Sequence, residues 1–98
     1  MAKGYWIAFY HSVKNPDAVA QYSKLAVPAI LAAGGRFIAR GMPLAVYEGA
    51  SVNQRVVAIE FDSVQQAVDA HDGPGYQEAL KVLGDAVVRD MRIIEGVA

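Results

Sequence analysis

The chain has no cysteine. It can therefore form no disulfide, no thiolate nucleophile and no cysteine-based metal site, a composition compatible with a reducing cytoplasm. Charge is also scarce, at 19% of residues, and the nine Lys and Arg residues are scattered. No run of them could neutralise several phosphates in a row, which argues against a nucleic-acid partner. Only two histidines are present, His11 and His71, and neither a His-x-x-x-His nor a 2-His-1-carboxylate spacing occurs. No metal site is expected on that ground. No apolar run approaches the ~20 residues of a membrane helix. The start, Met1-Ala2-Lys3-Gly4, enters strand pattern without the apolar core of a signal peptide. Linkers and low-complexity tracts are missing too, so a single soluble, cytoplasmic domain over residues 1–98 is expected.

What is abundant is apolar material, 54% of the 98 residues, against about 45–50% in average soluble domains. A chain this small has much surface for its volume, and an interface with a second copy that buries one sheet face would accommodate the excess. A well-filled core is the other explanation, since about half of any monomer's surface is apolar. The chain also falls into two similar halves, Tyr5 to Gly49 and Arg55 to Gly96. Each reads strand–helix–strand and each ends in Glu-Gly. A duplicated unit of this kind places one helix per half over a shared sheet.

Tyr5-Trp6-Ile7-Ala8-Phe9-Tyr10-His11 is uninterrupted by helix-favouring residues and reads as a strand buried on both faces. Asn15-Pro16-Asp17 is a helix start, with Asn as cap, Pro at the first position and an acid where the helix dipole favours it. Val19, Tyr22, Ala26, Ala29, Ile30 and Ala33 follow on one face. Pro28 deletes a backbone bond inside this helix and should kink it. Gly34-Gly35 ends it. A second strand runs from Arg36 to Arg40, is interrupted at Gly41-Met42-Pro43, and resumes from Leu44 to Glu48. A polar turn from Gly49 to Gln54 leads to a third strand, Arg55 to Phe61. A hairpin symmetric about that turn would pair Val46 with Val57, Leu44 with Ile59 and Glu48 with Arg55. Ser63-Val64-Gln65-Gln66 is a capping box opening the next helix. Gly73-Pro74-Gly75 breaks it, and a third helix runs from Tyr76 to about Val88, weakened by Gly84 by roughly 1 kcal/mol. Met91 to Glu95 is the last strand. The order βαββαβ with antiparallel pairing predicts an α+β, ferredoxin-like fold.

Three segments together carry a resemblance. They are Gly4-Tyr5-Trp6-Ile7-Ala8, then Gly34-Gly35-Arg36-Phe37-Ile38-Ala39-Arg40-Gly41 leading to Glu48-Gly49, then Arg55-Val56-Val57-Ala58-Ile59-Glu60-Phe61-Asp62-Ser63. Pro74-x-Tyr76-Gln77 and Glu95-Gly96 follow at matching distances. Over nearly its whole length the chain resembles the bacterial domain-of-unknown-function family numbered thirteen-thirty. The resemblance implies a dimeric α/β barrel, with the antiparallel sheets of two subunits packed face to face and the helices outside. Relatives in that superfamily include antibiotic-biosynthesis monooxygenases, muconolactone isomerases and chlorite dismutases, whose chemistry differs too widely to assign a reaction. Where the family carries a bulky pair this chain has Ala70-His71; a Ser is replaced by Gly73, and a helical Arg by Leu83. These departures fall where a pocket wall is expected.

Several residues invite a chemical reading. Arg36 and Arg40, four apart on one strand, should project to one face, as a fork for a carboxylate or phosphate or as ion-pair partners of Glu60 or Glu95. Glu60 interrupts the apolar strand Val56–Phe61 and points with Val56 and Ala58. If helices cover that face it is buried, as a general base or in a structural salt bridge with an arginine. His11 and His71 can each shuttle a proton near neutral pH, and His71, placed where relatives carry an aromatic ring, is the better pocket residue. Trp6, Tyr10, Tyr22, Tyr47 and Tyr76 are core and dimer packing, or the walls of a cavity for a small aromatic ligand. Haem, bound by some relatives, would find only His11 and His71 as imidazole ligands, and no cofactor is expected.

Two functions follow. In the first, a homodimer, or a higher oligomer, binds a small organic acid or aromatic metabolite in a cavity between sheet and helices. Arg40, His11, Tyr76 and Trp6 contact the ligand, and Glu60 or His71 moves a proton, as in cofactor-free isomerases or monooxygenases. In the second, the protein is a non-catalytic structural or interaction protein whose strand charges organise the dimer.

Overall fold

The structure, a computed structural model, describes residues 2–49 and 55–97. Seven elements follow in order: β1 (Gly4–Val13), α1 (Pro16–Ala32), β2 (Arg36–Gly41), β3 (Val56–Phe61), α2 (Val64–Asp72), α3 (Pro74–Leu83) and β4 (Val87–Glu95). The strands form one antiparallel sheet in the order β2-β3-β1-β4. This is the ferredoxin-like arrangement, in which each crossover helix skips a strand position.

Alternation along β1 sorts the sheet into two faces. Trp6, Ala8 and Tyr10 are buried, while Tyr5, Ile7 and Phe9 between them are only half-buried. Their neighbours keep the same parity, with Trp6 opposite Ile59 on β3 and Ile93 on β4. The first strand is thus buried on one face within a single chain, not on both. An antiparallel sheet can leave one face uncovered, and both crossovers lie on the same side. The core is the layer between that side and the helices, built on Trp6, Tyr22, Ile30, Ile59, Phe61 and Tyr76.

Local signals placed the helix ends. The Ala18 N–H donates to Asn15 Oδ1 at 3.2 Å, and Pro16 opens α1. The helix runs through Pro28 to Ala32. Gly34 takes φ +94°, and the Gly35 N–H closes on the Ile30 carbonyl at 2.9 Å. A side chain on Gly35 would lie 2.6 Å from Ile30 Cγ2 and 2.8 Å from Phe61 Cζ, so the turn also needs glycine for space. Ser63 Oγ accepts the Gln66 N–H at 3.0 Å, half of the expected capping box. The Gln66 side chain accepts from the Asp62 N–H at 2.8 Å and donates to the Ala33 carbonyl at 3.2 Å, tying α2 to the end of α1.

Three expectations are corrected. Residues 44–48 form no strand: β2 stops at Gly41, because Pro43 has no N–H to continue a ladder. The pairing is therefore Arg40 with Val57, Phe37 with Ile59 and Arg36 with Glu60, in place of the register symmetric about the turn. The turn itself falls largely on residues 50–54, outside those described. Gly84 does not weaken a long helix but ends α3, with φ +53° and its N–H on the Leu80 carbonyl at 2.9 Å. That early stop frees Val87 to begin β4, ahead of the expected Met91.

Candidate functional site: a cationic cavity under helix α1

A β-bulge decides what faces the helices. The β2–β3 register shifts between Phe37 and Ala39, so Arg36 lies opposite Glu60 whereas Arg40 lies opposite Val57. Glu60 and Val57 belong to opposite faces of β3. The extra residue reverses the parity of the strand, and Arg36 and Arg40 do not share a face as the plain two-residue repeat predicts. Arg36 stays on the open face. Arg40 turns to the helix side, where its guanidinium carbon stands 5.0 Å from the Phe37 ring centre.

There it borders a cavity between α1 and the sheet. The apolar lining includes Trp6, Ala26, Ile30, Phe37, Ile59 and Met91, and the polar lining Tyr10, Tyr22, Ser23, Arg40, Arg55 and Arg89. The enclosed space is about 40 Å³, and the cleft around it comes to about 420 Å³ when the open solvent at its mouth is counted in. Arg40 and Arg55 are exposed, and Arg55 leans on the Tyr10 ring at 6.0 Å. Arg89 is deeper. Its Nη1 donates to Tyr10 Oη at 3.0 Å and Tyr22 Oη at 3.3 Å, and its Nη2 to Tyr76 Oη at 3.1 Å. The guanidinium also sits 5.4 Å and 5.1 Å from the Tyr10 and Tyr22 rings. Tyr22 and Tyr76 hydroxyls are themselves 2.6 Å apart.

None of the three arginines has a carboxylate partner among the described residues. Burial opposes the charge on Arg89, but the oxygens of Tyr22, Tyr76 and Tyr10 outweigh it, and the side chain holds its proton more tightly than usual. Burial, with the neighbouring Tyr22, pushes the Tyr76 hydroxyl well above the ordinary phenol range, so it stays protonated. The site is a positive, hydroxyl-lined pocket in an apolar wall. Guanidinium and hydroxyl groups of this kind are the donors that suit an anion.

The other residues singled out in the sequence lie elsewhere. Trp6 lines the cavity, and Tyr76, 1% exposed, stands behind Tyr22 and against the edge of Trp6 at 4.8 Å. Glu60 is on the open face, not under helices. Its Oε1 accepts from Arg36 Nε at 3.0 Å and its Oε2 from the Tyr5 hydroxyl at 3.2 Å. The Arg36 hydrogen bond, helped by Tyr5 and partly offset by burial, holds its carboxyl below the usual range. Arg36 also reaches Asp62 at 3.0 Å. His71 packs against Trp6 and Tyr76 with ring centres 5.5 and 5.2 Å away, and its Nδ1 is 2.9 Å from Asp72 Oδ1; it does not line the cavity. His11 is 2.8 Å from Asp90 and borders a separate, open recess with Met42 and Arg55. No carboxylate or imidazole lines the cavity among the described residues, nor do His, Asp and Glu gather into a metal-binding group there.

Arg89 was the residue sequence reasoning missed. With the last strand begun at Met91, Arg89 fell outside it. Extending the alternation Met91–Ile93 two residues back puts a cation on the apolar stripe of β4, which is the signal that would have found it.

With this geometry in hand, the comparisons with known proteins are specific about family. A protein-family model described as a domain of unknown function, DUF1330, matches residues 3–97. The chain belongs to that family. No curated protein matches it. Among solved structures, a Rhodopseudomonas palustris protein of unknown function, RPA0582, superposes with a TM-score of 0.75 at 19% identity, over 99% of this chain and 84% of that one. A dimeric ferredoxin-like protein of unknown function from Thermobifida fusca gives 0.64 at 19% identity, over 96% and 91%. SnoaB from Streptomyces nogalater, a cofactor-independent oxygenase, gives 0.62 at 12% identity, over 99% and 94%. At these identities the likeness is one of fold. Among the described residues no helix is long and apolar enough to cross a membrane.

Proposed function

We propose that this DUF1330 protein binds a small organic anion, an aromatic or short aliphatic acid, in the cavity under α1. The carrying observation is the convergence of Arg40, Arg55 and Arg89 on one apolar cleft with no carboxylate among the described residues to neutralise them. Structural ion pairs consume their charges; here three positive groups stand ready for a ligand's negative one. Arg40 and Arg55, exposed at the mouth, receive the anion, Arg89 and its hydroxyls hold it, and Trp6 and Phe37 flank its carbon skeleton. Of the residues the sequence suggested as ligand contacts, Trp6 and Arg40 line this cavity, Tyr76 stands behind Tyr22 without lining it, and His11 borders a different recess.

The unit that binds is a homodimer. The uncovered sheet face exposes or half-exposes Tyr5, Ile7, Phe9, Ala58 and Ile94. Packing two such faces together hides them, and the Thermobifida fusca neighbour of the same fold is described as dimeric. Glu60 is locked by Arg36 and Tyr5 on that face, which favours the structural reading for this one pair of charges. Neither Glu60 nor His71 is the proton-moving group of the cavity.

Calorimetric titration tests the proposal. Benzoate is expected to bind and benzamide, its uncharged analogue, to bind more weakly. Arg40→Ala should weaken benzoate by roughly tenfold or more, since a charge-assisted contact is worth about 1.5–3 kcal/mol. Equal affinity for benzoate and benzamide would overturn the reading.

A further inference from the structure

The hydroxyl protons of the Arg89 cluster can be assigned by counting. Tyr22 and Tyr76 share one hydrogen bond at 2.6 Å, so one of their two protons lies between them and the other does not. Among the described residues the Tyr76 hydroxyl has only Tyr22 and Arg89 as hydrogen-bond partners, in a side chain 1% exposed. Were Tyr22 the donor, the Tyr76 proton would be buried without an acceptor, which costs about 1–3 kcal/mol. Tyr76 therefore donates to Tyr22. The Tyr22 oxygen then accepts from both Tyr76 and Arg89, its two lone pairs are used, and its own proton is left for the cavity that it lines. Tyr10 also has its proton left to give: its oxygen accepts from Arg89 and, unlike that of Tyr22, keeps one lone pair free.

The cavity's charged and hydroxyl groups thus act as donors from every side. They are Tyr10 on β1, Ser23 on α1, Tyr22 on α1 backed by Tyr76 on α3, Arg40 on β2, Arg55 before β3, and Arg89 on β4. Two phenolic O–H groups, both polarised by one guanidinium, suit a single oxygen atom that carries negative charge. A neutral hydroxyl ligand would instead meet these O–H groups with a proton of its own and find no charged acceptor. We propose that the cavity takes weakly acidic hydroxyl compounds, phenols or enols, and holds them as their oxyanions, the ligand's proton leaving to bulk water. This rests on the anion-binding reading above and narrows it to a class of ligand.

The test uses 4-nitrophenol, whose phenolate is coloured, titrated with the full-length protein across the pH range of its ionisation. The bound probe is expected to ionise at a pH at least about one unit lower than the free probe, the size of shift an adjacent cation produces. Tyr22→Phe, which keeps the ring and removes the donor, should shrink that shift while thermal unfolding shows the variant folded. A bound probe with an unshifted or raised midpoint overturns the proposal, as does a shift that Tyr22→Phe and Tyr10→Phe both leave unchanged. Benzoate binding without any 4-nitrophenol binding also overturns it but leaves the anion-binding reading standing. Failure of both probes overturns the two together.

Discussion

The two faces of the sheet carry similar residues in opposite circumstances. On the open face Arg36 is held by Glu60 and Asp62, each at 3.0 Å, and the Tyr5 hydroxyl completes the network. On the helix face Arg40, Arg55 and Arg89 have no such partner among the described residues, and the deepest is surrounded by phenol side chains. A cation beside a carboxylate is satisfied and inert toward a passing anion. One desolvated among rings and hydroxyls is not satisfied, and folding tolerates it only because the hydrogen bonds and ring faces offset part of the desolvation. The comparison teaches where to look for binding: among the charges the chain has left unpaired.

Replacing buried rings should separate the faces most strongly. Trp6→Ala, in the middle of the helix-side core, is expected to lower unfolding free energy by about 3–5 kcal/mol in urea denaturation. A loss below about 1 kcal/mol would mean that this layer is not the core. Hydroxyl deletions come next. Tyr22→Phe removes the oxygen that pairs with both Tyr76 and Arg89 and should cost about 1–3 kcal/mol. Tyr5→Phe, its open-face counterpart, should cost visibly less in the same assay, and equal losses would erase the distinction between the faces.

The smallest expected effect is in pH dependence. Because Glu60 is held below its ordinary range when folded, its pairing with Arg36 stabilises the protein above the carboxyl's ordinary pKa of about 4.3. That contribution fades as pH falls toward the depressed folded value, where the native carboxylate also takes its proton. Glu60→Gln should therefore be less stable than wild type near neutrality, and the gap should close on acidification. A gap that persists unchanged to the lowest workable pH would show that the charge is not what stabilises the pair.

Much of the fold could be read in the chain because its signals are local. Asn15-Pro16 opens a helix and Gly34-Gly35 closes one wherever they occur, since capping bonds and left-handed turns involve neighbours in sequence. Three- and four-residue periodicity likewise gave α1, and apolar runs gave β1 and β3. The errors came where a local rule met an irregularity that only pairing reveals. One extra residue near Ile38 reversed Arg40, Pro43 ended a strand that hydrophobicity alone would have continued, and Gly84 stopped a helix it was expected only to weaken. The cavity was less legible than the fold. Its walls come from four strands and α1, and its most informative residue, Arg89, touches Tyr10, Tyr22 and Tyr76 from distant positions.

The sequence by itself determined the order of elements, the ferredoxin-like topology, the family, and the absence of cysteine chemistry. Each of these depends on patterns within a dozen or so residues or on composition. Only the tertiary structure decided which charges are paired. Ion pairing depends on which face a side chain takes after every bulge is counted, and on what stands opposite it from elsewhere in the chain. It was at that level that Glu60 was found paired with Arg36 and Tyr5, and Arg89 among three tyrosine hydroxyls.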